Sequence, residues 1–317
     1  MIKVSAPGKL MLFGEHAVVH GRPCIVTAID TRMTVFLEKR EDRKIVINSP
    51  DLNLKNYLVS IGNLDKSCKK EIGFVLTAVK NFFKKYQIKS GLEIKTKSEF
   101  SMKFGLGSSS AATVATIKAL SELFKIKMAK KELFDLSFET ILEVQGVGSG
   151  FDVASAVYGG TLYFVRGGKV IKKIKVKNIP LIVGYSGIKA DTPTLVKMVN
   201  RKLKKNPPKI NKIFDEIEKT VNLAKIEMEN QNWQRVGGSM NQNQDLLRKL
   251  GVSSRKLENL IKAALNSGAY GAKLSGAGGG DCMIAIVKKA NLNNVKRAIE
   301  RAGGRVIDLK TSAPGVN

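Results

Sequence analysis

Gly105-Leu106-Gly107-Ser108-Ser109-Ser110-Ala111 follows a strand-like stretch and opens a long apolar run. Glycine lets the backbone come close to a ligand, and the small residues after it leave the amide N–H groups unobstructed. Residues 108–124 are dense in Ala, Val, Ile and Leu, which predicts a buried helix. Unpaired N–H groups and a partial positive charge at the start of such a helix make an anion site. A serine hydroxyl in that turn can also reach a Mg²⁺ ion bridging phosphates. The pattern is not a Walker loop, because no Gly-Lys-Ser or Gly-Lys-Thr follows the glycines. An ordinary serine-capped helix start is the plainer alternative.

Working outward, the first half alternates strand and helix signals. Apolar, β-branched stretches at 23–31, 33–38 and 44–48 read as strands, and 91–97 alternates like a half-buried one. Ile72, Val75, Val79 and Phe82 recur at helical spacing within 71–85, and 130–144 reads as a further helix. Strand-like 161–165 and 170–176 flank the turn Gly167-Gly168. Composition shifts at 177–180. Beyond it come a strand (181–184), two long helices (211–230, 233–250) and a shorter one (256–267). Strands around 271–274 and 282–287, a helix at 291–302 and a strand at 305–309 finish the chain, close to a split βαβ pattern. A chain of 317 residues is too long for one typical core. The expectation is an α/β (α+β) protein of two domains, 1–178 and 179–317.

Three further glycine-rich segments carry chemistry-bearing residues. Lys273-Leu274-Ser275-Gly276-Ala277-Gly278-Gly279-Gly280-Asp281 has more glycine than a turn needs, and suits close approach to a backbone or a phosphate. Ser5-Ala6-Pro7-Gly8-Lys9 precedes Gly14-Glu15-His16-Ala17-Val18-Val19-His20-Gly21, which holds both histidines of the chain. A Glu-His pair beside glycine suits a hydroxylated acid, with a solvated polar loop as the alternative. Gly146-Val147-Gly148-Ser149-Gly150-Phe151-Asp152 reads as a turn presenting one carboxylate. Phosphoryl transfer needs positioning and charge stabilisation, and a carboxylate that accepts the acceptor's proton beside a lysine meets that need. Asp152 and Lys9 are the candidates. An aspartate in a turn can equally serve local hydrogen bonding.

The net charge of +27 is spread along the chain, with a cluster in 201–212 (RKLKKNPPKINK). No aromatic-basic interleaving accompanies it, so a solvated lysine-rich surface is expected rather than a nucleic-acid partner. The same field draws in a polyanion. No apolar run approaches a membrane span of roughly 18 residues, and the start enters a strand-like segment without a signal peptide. The three cysteines, Cys24, Cys68 and Cys282, are odd in number and far apart, as in a reducing, cytoplasmic compartment.

In this order the segments resemble the GHMP kinase superfamily, which includes galactokinase, homoserine kinase, mevalonate kinase and phosphomevalonate kinase. The resemblance runs from Ser5 to at least Val287. It implies the GHMP kinase fold, an N-terminal domain like ribosomal protein S5 domain 2 joined to a ferredoxin-like C-terminal domain, with ATP and Mg²⁺ bound between them. Ala6-Pro7-Gly8-Lys9, the Gly14 to Gly21 run and Met240-Asn241-Gln242-Asn243-Gln244-Asp245-Leu246-Leu247 most resemble the mevalonate kinase family. By position, the resemblance makes Asp152 the base or orienting carboxylate and Lys9 its assistant at the reacting hydroxyl. Gly105, Leu106, Gly107, Ser108, Ser110 and Ala111 would hold the nucleotide phosphates, and Ser109 would coordinate Mg²⁺. Glu15, His16 and Thr192 would meet mevalonate, and Gly276, Ala277 and Gly278 would close over the site. A homodimer is compatible with it; nucleic acid and membrane partners are not expected.

Some residues depart from that pattern. Lys103-Phe104-Gly105, the 148–154 run and Gly278-Gly279-Gly280-Asp281-Cys282 look more like phosphomevalonate kinase, with Lys103 the candidate for an extra phosphate. Mevalonate kinases carry a Mg²⁺-binding Glu eleven residues before the catalytic Asp, where this chain has Ile141. Glu139 and Glu143 lie two residues to either side, about 200° around a helix, so neither replaces it. The acceptor is thus mevalonate or 5-phosphomevalonate.

Overall fold

β1 (Ile2–Phe13) and β2 (Cys24–Arg40) pair antiparallel along nearly their full length, from Ile2 opposite Leu37 to Phe13 opposite Ile25. They form the spine of the first sheet in this computed structural model, which describes residues 1–64, 72–100, 104–176 and 178–317. Sequence patterning splits β2 at Arg32, between the expected strands 23–31 and 33–38. In the structure the pairing shifts register there, between Pro7–Arg32 and Gly8–Ile29. Extra residues on one strand are accommodated as a bulge, and the strand continues.

β3 (Lys44–Ser49), β4 (Leu54–Ser60), β5 (Gly91–Ser98), β6 (Thr161–Val165) and β7 (Val170–Ile174) complete the sheet, in the order β4-β3-β5-β2-β6-β7 with β1 on β2. β4 escapes sequence reading because it is an edge strand whose apolar residues do not alternate, with only Leu54 buried. α1 (Gly73–Tyr86), α2 (Ser108–Leu123), α3 (Lys130–Gln145) and α4 (Phe151–Tyr158) pack together, with α2 and α4 against β1 and β2. α2 buries residues all round, as its apolar composition predicts.

In the second half, β8 (Leu181–Tyr185), β9 (Ala269–Ser275), β10 (Cys282–Val287) and β11 (Arg305–Ile307) form an antiparallel sheet in the order β11-β8-β10-β9. That is the ferredoxin-like order. α7 (Trp233–Leu250), α8 (Arg255–Asn266) and α9 (Leu292–Arg301) pack on it. α5 (Thr192–Lys205) is a helix that apolar periodicity does not announce, because it buries only Val199. α6 (Pro207–Glu229) begins four residues earlier than the apolar pattern does. Its prolines occupy the first turn, where no backbone N–H is needed, and Asn206 caps it.

The run 240–247 lies on α7, and its side chains stitch the free edge of β9. Asn241 Oδ1 accepts from Ala272 N–H at 3.1 Å and Gln244 Oε1 from Leu274 N–H at 3.0 Å, one turn apart on the helix and two residues apart on the strand. The closing segment returns to the first sheet: Asn317 and Ser5 exchange backbone hydrogen bonds of 2.8 and 3.0 Å, and Thr311 bridges Ile29. No helix among the described residues is long and apolar enough to cross a membrane.

Candidate active site

β1, α2 and α4 bring three distant segments to one place. Lys9, half-buried on β1, donates from Nζ to the Gly105 carbonyl at 3.0 Å, and its backbone N–H donates to the Leu106 carbonyl at 2.8 Å. The lysine is thereby fastened to the loop that enters α2. Its ammonium also lies 5.5 Å from the centre of the Phe151 ring. Burial pushes the Lys9 pKa down, and the nearby carboxylates of Asp152 and Asp281 oppose that shift.

Asp152 sits in the first turn of the helix α4, not in the turn that its glycine-rich approach suggests. Gly150 caps the helix at φ 91°, and burial of Val153, Ala154, Ala156 and Val157 stabilises an element of only eight residues. Ser110 Oγ donates to Asp152 Oδ2 at 2.6 Å, and Val153 N–H donates to Oδ1 at 3.0 Å. The two bonds orient the carboxylate. They also commit the buried Ser110 hydroxyl to Asp152 rather than to a phosphate.

Ser108 and Ser109 face a cavity of about 340 Å³. Met33, Ile47, Leu52, Ile72, Phe74 and Val75 give it apolar walls, while Ser49, Asp51, Thr96 and Ser98 supply polar atoms along one side. Apolar walls with a few polar groups are the usual lining of a small-molecule site. Nothing in the linear pattern of β3, β5 and α1 marks these residues as a site. Only the sheet register brings them together.

The second domain closes the site through its glycine-rich loop. Glu15 is 1% exposed and ion-paired with Lys273 of β9, also fully buried. Burial raises the Glu15 pKa and lowers that of Lys273, each opposed by the other's charge. His16 Nε2 lies 2.9 Å from the Ala277 carbonyl, so that nitrogen carries the proton and donates. Ser275 Oγ donates to the Met11 carbonyl at 2.8 Å. Glu15 and His16 are therefore turned towards the second domain and hold it to the first. Lys273 is not among the sequence-predicted site residues, although a lysine within the otherwise apolar 269–274 stretch signals a buried partner.

Two glycines have steric duties at this junction. A Cβ on Gly105 would stand 2.3 Å from Asp281 Oδ2, and one on Gly278 would stand 2.1 Å from the Val252 carbonyl. Gly278 thus lets the loop press onto Val252, whose carbonyl accepts from Gly279 N–H at 2.8 Å. Gly276 is left-handed at φ 99° beside the intermediate Ala277. Thr192 opens α5, exposed, and none of these bonds ties it to Lys9 or Asp152.

Among the described residues no group of three or more His, Cys, Asp or Glu side chains is placed to hold a metal ion. Ile141 is buried in the core, and Glu143 is drawn to Lys80 and Asn81. Lys103 lies outside the described residues.

Comparison with known proteins places these features in context. The model described as GHMP kinases N terminal domain matches residues 73–160, and that described as GHMP kinases C terminal matches 222–305. A mevalonate kinase of Pyrococcus abyssi is 35% identical, covering 100% of this chain and 97% of its own. The crystal structure of the Methanococcus jannaschii mevalonate kinase superposes with a TM-score of 0.84 at 29% identity, covering 98% of both chains. That of the L. major mevalonate kinase in complex with R-mevalonate gives 0.79 at 25% identity, covering 98% of this chain and 96% of that one.

Proposed function

The chain belongs to the GHMP kinases, and from that premise we propose that it transfers the terminal phosphoryl group of ATP to the 5-hydroxyl of mevalonate, yielding 5-phosphomevalonate. The observation that carries this reading is the convergence of Lys9 and Asp152 on the loop and first turn of α2, whose Ser108 and Ser109 line the cavity, in a chain alike along its whole length to mevalonate kinases.

The base of the nucleotide sits against Ile47, Phe74 and Val75, and its phosphates meet the N–H groups of residues 105–110, Ala111 N–H being spent on the Gly107 carbonyl. Asp152, oriented by Ser110, takes the proton of the attacking hydroxyl. The Lys9 ammonium balances the negative charge that gathers there. Ser109 lines the phosphate end, and its hydroxyl would hold a Mg²⁺ ion whose remaining ligands would come from phosphate oxygens and water. Such an ion supplies charge neutralisation on the transferring phosphoryl group. His16, Thr192 and residues 276–278 border the acceptor, and the segment 273–277 is anchored through Glu15. Buried free Cys24 and Cys282 suit a reducing compartment, which we take to be the cytoplasm.

An ADP-release assay with ATP and Mg²⁺, offering mevalonate and 5-phosphomevalonate side by side, tests the reading. Turnover on mevalonate is the expected result. Turnover on the phosphorylated acid alone overturns it.

A further inference from the structure

Among the residues lining the cavity, Lys189 alone comes from the second domain. It reaches the same space as Ser108 and Ser109, at the phosphate end. Its side chain is 54% exposed, and its Nζ lies 3.5 Å from Asp281 Oδ1.

The loop that presents Lys189 is built onto Asp281. Ser186 N–H donates to the Asp281 carbonyl at 2.8 Å, and Asp281 N–H donates to the Ile188 carbonyl at 2.7 Å. Ala190 N–H donates to Asp281 Oδ1 at 3.0 Å, and Ile188 N–H to Ser186 Oγ at 3.2 Å. Asp281 itself holds φ 53°, a left-handed conformation uncommon outside glycine. Its other carboxylate oxygen abuts Gly105, the first glycine of the loop entering α2. One residue thus fixes the Lys189 loop to the second domain's sheet and lays it against the phosphate loop of the first.

Lys189 is also close enough to Lys9 for its charge to lower that group's pKa. The two ammonium groups repel each other unless an anion comes between them. Asp281 satisfies Lys189 only through a long contact with a carboxylate already engaged by Ala190.

We propose that Lys189 is a further phosphate-binding residue, whose ammonium moves from Asp281 to the terminal phosphates of the bound nucleotide and completes the site from the second domain. The proposal rests on ATP being the phosphoryl donor. It makes the nucleotide's polyphosphate end, and not its base, the link between the two domains.

Calorimetric titration of ATP and AMP into the wild type, Lys189→Met and Lys189→Arg, without acceptor, tests it. The methionine variant is expected to bind ATP about ten- to hundredfold more weakly, the worth of one charge-assisted hydrogen bond, with AMP affinity unchanged and the arginine variant close to wild type. Unchanged ATP affinity with a raised KM for mevalonate would assign Lys189 to the acceptor's carboxylate and overturn the proposal. Equal weakening of ATP and AMP would also overturn it, because it points to a general disturbance of the cavity. Failure of the wild type to phosphorylate mevalonate sinks the acceptor assignment alone, since these binding measurements do not use the acceptor.

Discussion

The Ser110 hydroxyl donates to Asp152 Oδ2 at 2.6 Å, joining the first turn of α2 to the first turn of α4. The carboxylate's second oxygen accepts from Val153 N–H, so its plane is set from both sides. In the proposed mechanism Ser110 is a positioning residue and Asp152 the catalytic one.

Asp152→Asn is expected to lower kcat by about 10²–10⁴ while ATP affinity stays near wild type, the loss typical of a missing general base. Ser110→Ala should lower kcat by roughly tenfold to a hundredfold, because one hydrogen bond to a charged group is lost. Steady-state kinetics with nucleotide titration reads both. Strongly weakened ATP binding in Asp152→Asn would move Asp152 to a structural or metal-binding role.

Lys273→Met leaves the Glu15 carboxylate buried without its partner, in a place where Glu15 Oε2 already has none. Removing one member of a buried ion pair costs about 3–5 kcal/mol. Denaturant unfolding should show a loss of that size. The double variant Glu15→Leu with Lys273→Met should regain most of it, since an apolar pair of similar volume leaves no charge stranded. A double variant no more stable than Lys273→Met would show that the pair's geometry, not its charge, holds the domains.

Ala112 lines the cavity from α2 and is 8% exposed. Ala112→Leu puts three more carbon atoms into a space of about 340 Å³. The KM for ATP should rise by about tenfold or more, while the KM for mevalonate stays within about twofold. If both constants rise together, the cavity is not the nucleotide's alone.

Burial holds the His16 pKa below its ordinary value of 6.5, and burial with the charges of Arg166 and Arg22 does the same for His20. In acid the unfolded chain takes up protons at about pH 6.5, where the folded chain does not. The unfolded state then binds more protons, so stability rises with pH across the window below 6.5 and is lost as pH falls through it. Glu15, raised by burial, works in the opposite sense. His16→Gln keeps an N–H for the Ala277 carbonyl but cannot titrate. Its Tm should drop less than that of the wild type between about pH 7 and about pH 5.5. Equal drops would assign the acid sensitivity to His20.

Local chemistry was legible where the signal is local. Residues 105–111, the buried run after them and the isolated Asp152 stand out because glycine freedom, helix starts and apolar periodicity act over a few residues. α4 was read as a turn because three glycines precede it and its helix is short. α5 was missed because an exposed helix buries too little to leave a pattern. β4 was missed for the same reason at a sheet edge.

The residues by themselves determined most of the elements, the split βαβ rhythm of the second half, the glycine- and serine-rich loop 105–111 and the family. Tertiary structure alone decided who meets whom: Lys9 with Gly105 across 96 residues, and Lys273 with Glu15 across 258. It turned Glu15 and His16 to the second domain, gathered the cavity from β2, β3, β5, α1 and α2, and brought Lys189 into the same lining as Ser109. The reason is physical. Backbone propensity and hydrophobic period are written in neighbouring residues, whereas a hydrogen bond or ion pair is selected by position in space, which exists only after the sheets have packed.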